Sequence, residues 1–514
     1  MSEAVAAQPD RPGLRLKSAR GRWVVTATVL GSGMAALDAT VVGIALPAIG
    51  RDFHASVASL QWVVDAYTLT LAGLLLLGGT LGDSYGRRKV FQIGIVWFAV
   101  ASLLCGLAPG TGVLIAARAL QGVGGALLTP GSLAILQASF AEDDRSAAIG
   151  AWSGLGGVAT AIGPFLGGWL ISAVSWRLVF YINLPIAVAV VVIAARHVPE
   201  TKAPGPVPKL DVRGAACISG ALAGITYGLI AASSYGWGSV PVLVPLGAGV
   251  VLLGLFIGVE AREPQPMLPL GVFKSRQFTA ANAVTFVVYG ALGGLLFLVP
   301  VVLQVAHGYS PLQAGVSLLP VTFIMLLLSS RSGALAARIG PRLQMTVGPL
   351  VLALSMILFT RISTSGDYLT AVLPAVLAFG FGVAIMVAPL TATALSAAPA
   401  DHAGIASAVN NDVARVGGLI AVAVLPALAG ITGDSYLHPA VLAADFKTAA
   451  WISAAFCAAG GILAGLTIRN PSRAKAAAAT PQGFSCSLEA PPLRNPELRN
   501  LEPTGHPADG TRKP

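Results

Sequence analysis

The stretch Leu77–Lys89, LGGTLGDSYGRRK, decides how the rest of the chain is read. Apolar runs flank it, Leu69–Leu81 before and Val90–Leu107 after. Between them lie one acid (Asp83), a helix-breaking glycine (Gly86) and three successive bases, Arg87, Arg88 and Lys89. A tight charged turn between two long apolar runs reads as a short loop joining two membrane-crossing helices. Lys and Arg in short loops favour the cytoplasmic side, so this loop predicts the orientation of everything around it.

Composition agrees. The 514 residues are 55% hydrophobic and only 11% charged, where a soluble domain carries about 25% charge. Mean hydropathy is +0.77. These values exclude an ordinary soluble enzyme and predict a polytopic membrane protein. The net charge of +10 follows a positive-inside distribution rather than marking a nucleic-acid binder. Cys105, Cys217 and Cys457 lie in apolar runs, Cys486 in a polar tail, and none has metal or C-x-x-C spacing. They read as small packing residues.

A spanning helix needs about 20 mostly apolar residues. Runs of that kind lie near 23–48, 60–81, 90–108, 112–136, 146–172, 179–197, 214–232, 241–259, 278–304, 312–330, 344–360, 368–393, 404–430 and 449–468, fourteen in all. The first exceeds a signal-peptide core of about 7–15 residues, so it reads as a retained span. An even count puts both termini on one side. The bases sort accordingly: Arg11, Arg15, Lys17, Arg20, Arg22, Arg87–Lys89, Arg145, Arg196, Lys202, Lys209, Arg213, Arg262, Lys274, Arg276, Arg331, Arg338 and Arg342 fall on that side. Only Arg51, Arg177, Arg361 and Lys447 fall on the other. Both termini are therefore expected in the cytoplasm.

The chain also repeats. Gly79–Arg88, GTLGDSYGRR, aligns with Gly333–Arg342, GALAARIGPR, with Ala337 in place of the acid. In register with the spans, this predicts two six-helix halves, 23–197 and 278–468, with two inserted helices at 214–259. Residues 1–22 and 469–514 are expected to be cytoplasmic tails, the second disordered.

Four groups of residues could carry chemistry. Asp38 lies near the middle of the first span, where a charge costs at least ~2.5–3.5 kcal/mol on insertion scales, so a functional role is the default. The competing reading is a structural acid hydrogen-bonded to a neighbouring helix. Asp65 lies toward the far end of the second span, as a substrate-facing acid or as a solvated rim residue. Arg118 is a guanidinium inside the fourth span and needs an anionic partner. Asp65 and Arg118 share a depth at which they could pair. In the thirteenth span Asn410, Asn411, Asp412 and Arg415 cluster, and Asp412 and Arg415 are spaced for a local ion pair at the cytoplasmic gate or for a simple interface pair. His307, His402 and His438 read as loop residues. There is no G-x-x-x-x-G-K-[ST] string, no metal-ligand cluster and no nucleophile–base arrangement.

Several of these strings resemble those of a known family. Gly79, Leu81, Asp83, Gly86, Arg87 and Arg88 are similar to the loop between the second and third helices of the major facilitator superfamily, with Ser84 where a base is usual. Leu37–Ile49, LDATVVGIALPAI, resembles the first-helix motif of the fourteen-span drug:proton antiporters, with Gly43 in place of Asn. Leu114, Arg118, Gln121, Gly122, Gly124 and Ala126 match the superfamily's fourth-helix motif, which is associated with proton coupling. Gly150, Gly163, Pro164, Gly167 and Gly168 resemble the antiporter motif of the fifth span, with Ala159 replacing its middle Gly. Ser175–Ile186, Leu303–Pro320 and Ala403–Gly418 look like the same family.

The resemblance implies an all-α integral membrane protein of the major facilitator fold, two six-helix halves plus two inserted helices. It implies a proton-coupled antiporter that exports hydrophobic or amphiphilic drugs or antibiotics by alternating access. Asp38, Asp65 and Arg118 would serve proton coupling or substrate. Gly79, Asp83, Gly86, Arg87 and Arg88 would form the cytoplasmic gate. The energy source would be the proton gradient, with no cofactor. The partners would be drug, protons and lipid in the cytoplasmic membrane, with no nucleic acid, and the expected state is a monomer. A proton-driven importer and a transport-dead sensor or scaffold are the alternatives.

Overall fold

The computed structural model describes residues 13–202, 210–264, 266–362, 367–397 and 403–470. The C-terminal tail from residue 471, Lys209 and His402 lie outside the described residues. Fourteen helices among the described residues are long and apolar enough to cross a membrane. They are α1 (Ala19–Phe53), α2 (Val57–Tyr85), α3 (Arg87–Leu107), α4 (Thr111–Ser139), α5 (Glu142–Ala173), α6 (Leu178–His197), α7 (Val212–Tyr235) and α8 (Val240–Glu260). Then follow α9 (Arg276–Val305), α10 (Pro311–Ile339), α11 (Arg342–Phe359), α12 (Tyr368–Ser396), α13 (Ala403–Ala429) and α14 (Pro439–Thr467).

Helix boundaries follow local chemistry. Ser18, Ser56 and Ser275 cap α1, α2 and α9, each side-chain oxygen accepting from a first-turn N–H. Ser310 and Gln313 form a reciprocal capping box at α10. Prolines sit inside several helices, Pro47, Pro130 and Pro164 among them. Neighbouring helices re-satisfy the freed backbone groups in such settings.

In the first half α2 packs on α4, α3 on α4, and α1 on α5 and α6; in the second, α9 packs on α13 and α14, and α11 on α12 and α14. The α7–α8 hairpin leans through α7 on α2 and α13. Val244, Val250, Val251 and Leu255 of α8 are exposed, an apolar face suited to lipid.

The repeated loops are built alike. Gly86 and Gly340 end α2 and α10 with φ of +117° and +87°, a region that disfavours side chains. After each, a residue beyond the last helix of its half caps the next helix. The Glu200 carboxylate accepts from the N–H groups of Arg88 (3.0 Å) and Lys89 (3.2 Å). Asn470 Oδ1 accepts from Arg342 N at 3.0 Å.

The halves meet at the end opposite the Arg87–Lys89 loop. There Val57 N donates to Gly433 O (2.9 Å), Tyr436 Oη to Ala55 O (2.8 Å) and Gln304 Nε2 to Ile44 O (2.9 Å). Gln61 Nε2 donates to Val422 O and Ala423 O at 2.6 and 2.9 Å. The largest apolar cluster also spans both halves. At the basic end they part around a cavity.

Candidate functional site

Two features occupy the space between and within the halves: a buried polar cluster and the cavity. The cluster centres on Asp38 of α1 and Arg118 of α4, both fully buried. Arg118 Nη1 meets Asp38 Oδ2 at 2.5 Å. Asp38 Oδ1 accepts from Gln121 Nε2 (2.8 Å) and Asn183 Nδ2 (3.2 Å). Gln121 follows Arg118 by three residues and so shares its helix face. Asn183 opens the longer segment of α6, just past the break at Ile182. Ser102 Oγ of α3 accepts from both amides, at 2.8 and 3.2 Å. Arg118 also donates through Nε to Val63 O of α2 (3.0 Å), and its guanidinium stacks 4.4 Å over the Tyr67 ring. A buried ion pair is tolerated when its remaining hydrogen-bonding capacity is met, and this one draws on α1, α2, α3, α4 and α6.

That geometry corrects one expectation. Arg118 pairs with Asp38 and not with Asp65. Arg118 Nε reaches Val63 O, two residues from Asp65, yet the guanidinium faces Asp38, because facing direction is set by packing. Asp65 is fully buried, so it is not a solvated rim residue, and its oxygens have no hydrogen-bond partner among the described residues. It lies one turn from Gln61, on the face of α2 that meets α13.

The cavity, of about 780 Å³, is lined by α1, α2, α4, α5 and α13. At its mouth stand Gly79, Asp83 and Arg87. Arg87 donates through Nε to Asp83 Oδ1 at 2.8 Å and through Nη1 to Ala134 O at 3.4 Å. Arg88 takes no part in that pair. Its Nε lies 3.6 Å from Glu200, and Nη1 donates to Val198 O at 3.2 Å. The expected latch of Asp83 with both bases is thus divided between Asp83 and Glu200, a residue that no motif signalled.

The glycines of α5 also divide. A Cβ at Gly167 would lie 2.6 Å from Val41 Cγ1, and one at Gly163 would strike the Thr40 hydroxyl, so these two let α1 approach. A Cβ at Gly168 would lie 2.8 Å from Leu312 Cα, and one at Gly315 would lie 2.7 Å from the Pro164 carbonyl carbon. This part of the motif therefore makes the backbone-to-backbone seam between α5 and α10. Gly150 has nothing within 4 Å of its Cβ position.

The α13 cluster splits as well. Asn410 Nδ2 donates to Asn282 Oδ1 (3.1 Å) and Thr285 Oγ1 (2.9 Å) of α9. Asn411 and Arg415 line the cavity. Asp412 and Arg415 form no ion pair within 4.0 Å, so the expected gate pair is absent: three-residue spacing permits contact but does not impose it. Gln121 lies in the fourth-helix motif and Asn183 in the Ser175–Ile186 string, but the motifs alone gave neither a role. Ser102 carried no signal, because a lone Ser in an apolar run is ordinary.

Comparison with known proteins bears on this geometry. Residues 28–422 match the profile of the Major Facilitator Superfamily. The tetracenomycin C resistance and export protein of Streptomyces glaucescens is 37% identical over 421 residues, covering 81% of this chain and 78% of that protein. The puromycin resistance protein of Streptomyces alboniger is 37% identical over 447 residues, 84% and 88% of the two chains. A methylenomycin A resistance protein of Bacillus subtilis is 34% identical over 422 residues, 82% and 90%. Among solved structures, a peptide transporter matches with a TM-score of 0.63 over 88% of this chain and 96% of that one, at 16% identity. A bacterial homologue of the lysosomal transporter Spinster matches at 0.60 over 89% and 100%, at 17% identity. At such identity these two bear on the fold alone.

Proposed function

Because the chain belongs to the Major Facilitator Superfamily and is a multi-pass membrane protein, we propose that it exports hydrophobic or amphiphilic drugs or antibiotics in exchange for protons. The observation that carries export is the set of resistance and export proteins more than a third identical over four-fifths of the chain. The distribution of bases supports a cytoplasmic location for both termini. On that orientation the cavity opens to the cytoplasm and is the loading state.

Transport then follows by alternating access, the six-helix halves rocking about the seam. Substrate enters between α2, α4, α5 and α13. The halves close at the Asp83–Arg87 mouth and part at the α5–α10 seam. Asp38 is the acid that carries the proton: separation from Arg118 favours a proton on its carboxylate, and renewed pairing with Arg118 releases it. An opposite charge nearby favours the ionised acid, and removing it favours the neutral one. Gln121, Asn183 and Ser102 hold the acid in place during the exchange. Asp65 stands as a second candidate for proton or substrate.

The test is efflux in inside-out vesicles from a pump-deficient bacterium. An imposed gradient, acid inside, should drive drug accumulation that a protonophore abolishes. Accumulation indifferent to the protonophore would overturn proton exchange, and drug movement in the opposite direction would overturn export.

A further inference from the structure

Among the described residues, the cavity wall holds one arginine that forms no ion pair. Four charged side chains line its described wall: Asp83, Arg87, Asp211 and Arg415. Asp83 and Arg87 neutralise each other at 2.7 Å. Asp211 is engaged at the start of α7, where Oδ1 accepts from Gly214 N at 2.7 Å. Arg415 makes no hydrogen bond and no ion pair among the described residues. Asp412, one turn earlier, is beyond ion-pair distance and is not part of the wall. Asp38 has three donors of its own, and Asp65 does not reach the cavity.

Arg415 lies twelve residues past Ala403, the first residue of the 27-residue α13. That is a rise of about 18 Å, near the middle of the helix. A guanidinium at such depth is expensive unless water or an anion meets it. Its planar fork of donors fits the paired oxygens of a carboxylate or sulfonate. Apolar side chains elsewhere in the cavity wall include Ala36, Leu75, Leu76, Leu133 and Ile405. Of the wall's two carboxylates, Asp83 is paired with Arg87, and Asp211 caps α7 through Oδ1 with Oδ2 unpartnered among the described residues.

We propose that the cavity selects amphiphilic organic anions, an apolar ring system with one acidic group docked on Arg415. The assignment deepens the export reading and rests on the cavity being its loading site.

The probe pair is 1-anilinonaphthalene-8-sulfonate and N-phenyl-1-naphthylamine, the same skeleton with and without the sulfonate. Equilibrium binding is measured on the full chain in zwitterionic nanodiscs, with empty discs subtracted. The wild type should bind the sulfonate more tightly than the amine. Arg415→Gln should lower that preference at least tenfold, and Arg415→Lys should recover part of it. A preference that stays within twofold in a folded Arg415→Gln protein overturns the proposal. So does a wild type that does not prefer the sulfonate, which decides the matter even if the variant does not fold. Binding needs no proton gradient, so the two readings fail separately. Sulfonate binding through Arg415 without export of either probe refutes export alone. Export of the amine by a protein indifferent to the sulfonate refutes this assignment alone.

Discussion

Removing the charge of Asp38 exposes how much the cluster depends on it. In Asp38→Asn, Arg118 keeps Val63 O and Gln121 Oε1 as acceptors but loses its only carboxylate. Breaking a buried pair by removing one partner costs about 3–5 kcal/mol. The asparagine oxygen can still accept from Gln121 or Asn183, so the lower end, about 3 kcal/mol, applies. Arg118→Gln alone should cost a similar amount, because it strands the Asp38 carboxylate. The double variant leaves no unpaired charge and should lie within about 1 kcal/mol of the wild type, a coupling of several kcal/mol in a double-mutant cycle. Reversible unfolding in mixed micelles gives the stabilities, and vesicle efflux at matched protein levels gives the activity. None of the three variants should concentrate drug against a gradient, although Asp38→Asn should still bind it. Asp38→Glu should retain part of the activity. Additive single-variant costs would refute the pair as a coupled unit. Wild-type proton-driven efflux by Asp38→Asn would refute its role as the proton carrier and leave it a structural acid.

Three further perturbations separate the other parts of the site. Gly168→Val should push apart the α5–α10 seam; overpacking of this kind costs about 1–3 kcal/mol, and the result should be lost efflux with increased labelling of Ser172→Cys from the side opposite the basic loop. Normal efflux would show that the seam tolerates a side chain. Glu200→Ala removes the acceptor for two N–H groups of α3 and should lower stability by about 1–2 kcal/mol, read by thermal unfolding, with Glu200→Gln intermediate. Asp83→Asn should leave abundance intact and reduce efflux. Cysteines at Tyr85 and Pro264 should label from the cytoplasm only, and those at Gly110 and Ser234 from outside only; Tyr85 is used because its neighbour Ser84 is buried. Labelling of Pro264 from outside would contradict the fourteen-span topology.

Hydropathy alone determined the helical class and the number of spans, because each crossing must carry about 20 apolar residues whatever its neighbours do. The spacing of Gly79, Asp83, Gly86 and Arg87 was legible for the same reason: a turn needs its glycine locally, and Asp83 and Arg87 stand four residues apart across it. Residues far apart in the chain were a different matter. Asp38, Asp65 and Arg118 could each be singled out, since a charge in a membrane span is conspicuous by its cost. Which acid took the arginine depended on how α1, α2 and α4 turn about their axes, and that is set by packing around Gly33, Gly122 and Gly163. Tertiary structure likewise sent Arg88 to Glu200, left Arg415 without Asp412, and divided the fifth-span glycines between α1 and α10. A sequence displays the groups that demand a partner; only the packed helices decide which partner comes within reach.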